Sequence, residues 1–80
     1  MRAKVYVTLK NGVLDPQGKT IHRAIQHLGH KGVQDVRQGK LFEVELDNHI
    51  SKEEAVRLLN SLADEILTNP VIETFRVEVE

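Results

Sequence analysis

The sequence predicts an α+β sandwich of order βαββαβ. This is the ferredoxin-like arrangement, with a four-stranded antiparallel sheet carrying two helices on one face. Three observations carry the prediction. Arg2–Lys10 and Glu73–Glu80, near the two ends of the chain, alternate apolar and polar residues with period two. Two internal segments repeat apolar residues at helical spacing, each opening on a capping signal. Between those helices lie two short alternating runs joined by Gln38-Gly39, a tight-turn dipeptide. Eighty residues are enough for one domain, here residues 1–80.

In the first strand Ala3, Val5, Val7 and Leu9 point one way, and Arg2, Lys4, Tyr6, Thr8 and Lys10 the other. Asn11-Gly12 breaks it. Asp15-Pro16 reads as N-cap and first helical residue, because proline lacks the N–H that this position leaves unpaired. Ile21, Ala24, Ile25 and Leu28 supply an apolar stripe, and Gly29 the stop. Gly18 weakens the first turn, which moves the expected helix start a few residues onward. Val33–Arg37 is expected as the second strand and Lys40–Asp47 as the third, with Phe42, Val44 and Leu46 on its inner face. Ser51-Lys-Glu-Glu54 fits a capping box for the longer helix. Its stripe is Ala55, Leu59, Leu62, Ala63 and Ile66, and Asn69-Pro70 ends it. Phe75, Val77 and Val79 form the inner face of the last strand.

Composition narrows the function classes. Eleven basic against twelve acidic residues give a formal net charge of −1, which argues against nucleic acid, a partner that needs a concentrated positive surface. The chain has no cysteine, which removes disulfides and thiolate metal sites and suits a reducing, cytoplasmic setting. Charged residues interrupt every apolar run, so no membrane span is expected. Catalytic groups do not assemble either. His27 and His30 straddle the helix stop, His22 and His49 stand apart, and Ser51 has a capping role. Neither a phosphate-binding glycine loop nor a nucleophile motif is present. The expectation is binding or assembly, with no catalytic, cofactor-binding or metal-binding residue in this chain.

Two surfaces are candidates for contact. The open sheet face carries Arg2, Lys4 and Tyr6 on the central strand, with Leu41 and Glu43 beside them. Opposite charges there serve cross-strand pairing or an isologous contact with a second copy. Only Tyr6 among the three aromatics points outward, so base stacking is not supported. The second surface is the long loop Lys10, Gly12, Val13, Leu14, Asp15, Pro16, Gln17 and Gly18. Its Val13 and Leu14 belong to no expected element, and loops of this kind bind partners or tuck under a sheet edge.

The run Val5-Tyr-Val-Thr-Leu-Lys-Asn-Gly-Val-Leu-Asp-Pro-Gln-Gly18, followed by Ile21, Ala24 and Leu28-Gly29, closely resembles the start of the PurS family. The likeness continues through Val36-Arg-Gln-Gly-Lys40 and ends in Asn69-Pro-Val-Ile-Glu73. PurS is the small subunit of phosphoribosylformylglycinamidine synthase, which acts in de novo purine synthesis. The resemblance implies a non-catalytic subunit that dimerises and bridges the PurQ glutaminase and the PurL synthetase. ATP, Mg and glutamine are then used by those partners, and no cofactor is bound by this chain. A small-metabolite-sensing domain of the same topology, acting as a dimer, is the alternative.

Overall fold

The computed structural model describes residues 1–80. Strand β1 spans Arg2–Leu9, helix α1 Pro16–His27, strand β2 Lys40–Glu45, helix α2 Lys52–Leu62 and strand β3 Glu73–Val79. A π-helical turn, Ala63–Leu67, extends α2. The sheet is antiparallel with order β2-β1-β3. Its register sets Val5 beside Phe42 on one side and Val77 on the other. This places the first strand at the centre, where the expected strand order puts it.

The core sits on one face of this sheet. Ala3, Val5 and Val7 are fully buried against Leu59 and Ala63, ringed by half-buried Phe42, Val44, Phe75 and Val77. Helix α2 supplies the cover, lying over β3. Ser51 caps it as expected, its Oγ accepting from the Glu54 N–H at 3.2 Å. The helix ends in a widened turn. Both the N–H and the hydroxyl of Thr68 donate to the Ala63 carbonyl, five residues back, at 3.0 and 2.8 Å. That widening rotates Ile66 off the core stripe, and it is 72% exposed.

The second half of the expected sandwich is absent from the single chain. The sheet has three strands, because Val33–Arg37 makes no ladder. Nor does α1 lie on the sheet face; it packs on neither the sheet nor α2 to any comparable extent. Gln38-Gly39 forms no turn. A two-residue hairpin needs positive φ, which only Gly12 and Gly29 adopt. Gly39 instead lies against the Val7 carbonyl, where a Cβ would collide with it, and leads straight into β2. The result is elongated, 51 × 25 × 14 Å, with a radius of gyration of 16.1 Å. A compact chain of this length would have about 12 Å.

Helix α1 begins at Pro16, so Gly18 lies inside its first turn. Its Cβ-less backbone is required there: an added methyl would meet the Val36 carbonyl and the Asp15 carboxylate. Gly18→Ala should therefore destabilise the chain by about 1–2 kcal/mol in urea titration, despite the better helix propensity of alanine. Gly32→Ala has open space around it and no positive φ, and should be neutral. Equal stability of the two variants would refute the close approach.

Candidate assembly surface

The loop after β1 is organised around one carboxylate. Asp15 is buried, 5% exposed, at the N-cap of α1. Its Oδ1 accepts from the Gly18 N–H at 2.9 Å, the cap expected from Asp-Pro. Its Oδ2 accepts from the Gln38 N–H at 2.8 Å, twenty-three residues away. The Arg37 guanidinium stands 3.9 Å off and also donates to the Leu9 and Lys10 carbonyls, each at 3.3 Å. The Gln38 and Gly18 amides hold the Asp15 carboxyl below the ordinary carboxylate range, with a smaller contribution from Arg37, against the opposing effect of burial.

From this anchor the chain doubles back on itself. α1 runs outward, and residues 33–39 return beside it without turn or bend. Gln38 Nε2 donates to Gln17 Oε1 at 2.7 Å near the base, and His22 Nε2 donates to the Val33 carbonyl at 2.8 Å farther out. Residues 16–39 thus form an arm fastened to the sheet at Asp15. Its apolar side chains are only partly covered: Ile25 and Val36 are half-buried, while Leu28 is 76% exposed and Ile21 41%.

Val13 and Leu14 part company. Val13 is half-buried, its N–H donating to the Lys10 carbonyl at 3.1 Å, while Leu14 is 69% exposed. Gly12 makes the turn with φ +87°, and Lys10, Pro16 and Gln17 are exposed. Two clefts flank Asp15, about 270 Å³ beside Gly12, Leu14 and Lys19 and about 430 Å³ beside Gln17, Lys40 and Glu73.

The open sheet face is brought together as expected. Arg2 faces Glu45, Lys4 faces Glu43 and Glu78, and Tyr6 lies between Leu41 and Arg76. The Arg76 guanidinium sits 4.2 Å above the Tyr6 ring and also pairs with Glu78 at 3.2 Å. Leu41 is 48% exposed beside them. Arg2 pairs with Glu45 at 3.5 Å, so two of the cations on this face, Arg2 and Arg76, are occupied by neighbouring carboxylates. Elsewhere, no three His, Asp or Glu side chains converge where a metal ion could bind. No helix is long and apolar enough to cross a membrane.

Sequence reasoning missed Gln38 and Arg37 as parts of the anchor. Gln38 contributes a backbone N–H, which no side-chain pattern announces, whereas the basic Arg37 eight residues after the expected helix stop at Gly29 gave no hint of its two carbonyl partners.

The architecture is that of a small α+β protein whose organised polar groups fasten an arm to a sheet. The family model for PurS, phosphoribosylformylglycinamidine (FGAM) synthase, matches residues 2–80. Among curated relatives, the phosphoribosylformylglycinamidine synthase subunit PurS of Mycobacterium leprae is 44% identical over 99% of this chain and 95% of its own length. Among solved structures, Methanocaldococcus jannaschii PurS superposes with a TM-score of 0.88 at 33% identity, covering 99% of this chain and 94% of that one. A chain in the structure of PurLQS from Thermotoga maritima gives 0.79 at 33% identity, covering 96% and 93%. The chain belongs to the PurS family of FGAM synthase, an enzyme of purine biosynthesis.

Asp15→Asn keeps a cap acceptor but removes the charge. Because the native carboxyl is held low, its stabilisation is complete above the ordinary carboxylate value near 3.8 and fades as pH falls through the lower native one. The variant should melt several degrees below wild type at pH 7, and the gap should narrow below pH 4. A gap that is constant from pH 7 to 2.5 would contradict the charged anchor.

Proposed function

We propose that this chain is a non-catalytic assembly subunit, bridging the PurL synthetase and the PurQ glutaminase of a split FGAM synthase. Its likeness to a chain of the Thermotoga PurLQS structure, along nearly the whole length of both, is the observation that carries this reading. ATP, Mg and glutamine are handled by the partner subunits, and the setting is cytoplasmic. The subunit acts as a homodimer, and the fourth strand expected at Val33–Arg37 forms on association. The Lys10 to Gly18 loop with its exposed Leu14 is assigned to the larger partners, and the face of Arg2, Lys4, Tyr6, Leu41 and Glu43 to the neighbouring copy.

Reconstitution tests the role. The purified chain should show neither glutaminase nor synthetase activity, and adding it to PurL and PurQ should create glutamine-dependent FGAM formation. Full coupled activity of the two partners without it would sink the proposal.

The two loop side chains give opposite expectations. Leu14→Ser should leave the melting temperature unchanged and weaken complex formation on size exclusion about tenfold, the loss expected from an apolar anchor. Val13→Ser, at a half-buried position, should lower the melting temperature instead. If Leu14→Ser melts early yet assembles normally, Leu14 is a packing residue.

A further inference from the structure

The chain has four asparagines, and all four are exposed, so exposure does not separate them. Their surroundings do. Asn69 precedes Pro70, which has no backbone N–H. Asn60 lies in α2, its Nδ2 donating to the Val56 carbonyl at 2.7 Å, and the Ser61 N–H that follows belongs to the helix ladder. Asn48 Oδ1 accepts from the N-terminal amine at 3.1 Å. The N–H after it, that of His49, donates to Asp47 Oδ1 at 3.1 Å.

Asn11 is held by nothing comparable. No hydrogen bond within the chain reaches its side-chain amide or the Gly12 N–H. The two residues form the centre of a turn closed by the Val13 N–H on the Lys10 carbonyl at 3.1 Å. Gly12 has φ +87°, and open space surrounds the position where a Cβ would stand. The Asn11-Gly12 peptide can therefore rotate toward the Asn11 side chain at the expense of that one bond. Glycine also leaves the amide nitrogen unshielded.

A bare amide nitrogen next to an unbound side-chain amide is set for intramolecular attack. Hydroxide takes the Gly12 amide proton, and the nitrogen forms a bond to Asn11 Cγ. The Cγ–Nδ2 bond breaks, and that nitrogen leaves as ammonia with a proton from water. The product is a cyclic imide. Water opens it at Cγ to give aspartate, or at the backbone carbonyl to give isoaspartate, whose main chain runs through Cγ and is one carbon longer.

We propose that Asn11-Gly12 is a spontaneous deamidation site, and that its reaction withdraws the subunit from assembly. Either product puts a carboxylate at the head of the Lys10 to Gly18 loop, three residues before the exposed Leu14. Isoaspartate also undoes the turn between Lys10 and Val13. The Asp15 anchor lies beyond that turn and keeps its bonds to Gly18 and Gln38, so the fold survives. The effect on assembly rests on the assignment of this loop to the larger partners.

Peptide mapping by mass spectrometry, on the full chain aged in mild alkali, tests the site, with isoaspartyl methyltransferase as the label for isoaspartate. Asn11 should convert to the acid, faster as pH rises, while Asn48, Asn60 and Asn69 stay intact. Asn11→Gln, which closes a less favourable six-membered ring, should convert about tenfold more slowly. An Asn11 that stays intact in the folded chain while it converts in urea overturns the site. The aged mixture is then run on size exclusion with PurL and PurQ. Converted chain should be depleted about tenfold from the complex peak, with an unchanged circular dichroism spectrum. Equal shares of converted and unconverted chain in that peak overturn the effect on assembly. A fresh chain that never enters the peak, yet converts at Asn11, overturns the assembly role together with that effect and leaves the site standing.

Discussion

One buried carboxylate decides the shape of this chain. Asp15 binds the first turn of α1 through one oxygen and the Gln38 amide through the other. Burying a charge is costly, and here aimed N–H donors and a nearby guanidinium offset the loss of hydration. Because one side chain holds both ends of the arm, helix and returning segment leave the sheet together. The same grip keeps Gln38 from entering a hairpin with β2. Two glycines make the geometry possible, Gly18 at the Val36 carbonyl and Gly39 at the Val7 carbonyl.

The consequence is a sandwich only half assembled within one chain. Only eight of 80 residues are buried, and the five that form the core cluster come from β1, α2 and the π turn. The arm contributes none of them, so its apolar residues gain little from folding alone. A small chain with so small a core has a thin stability margin, which association would widen. This suits a subunit whose family works within a larger synthase.

Local chemistry was legible in the sequence where a residue acts on its own neighbours. Asp15-Pro16, Ser51 and Gly29 each mark the helix end they were expected to mark. The alternation of β1, β2 and β3 gave the sheet faces, and the ferredoxin-like strand order gave the central position of β1. What could not be read was where long-range backbone partners lie. The pattern Val33–Arg37 is that of a strand, yet a strand needs an edge to pair with, and within the chain the Asp15 anchor directs this segment away from one. Gly18 looked like a flaw in the helix because the Val36 carbonyl that requires it comes from a distant segment. The exposed Leu14 and the half-buried Val13 have equal apolar character in sequence, and only the turn at Gly12 separates them.

The claim at the centre of this account is that the fourth strand belongs to a neighbouring copy. Isotope-filtered nuclear Overhauser spectroscopy, on a mixture of labelled and unlabelled chains, tests it most directly. The account predicts close contacts between backbone protons of residues 34–37 and those of β2 that appear only between chains. The same contacts arising within a single chain, as in a closed hairpin, would contradict it.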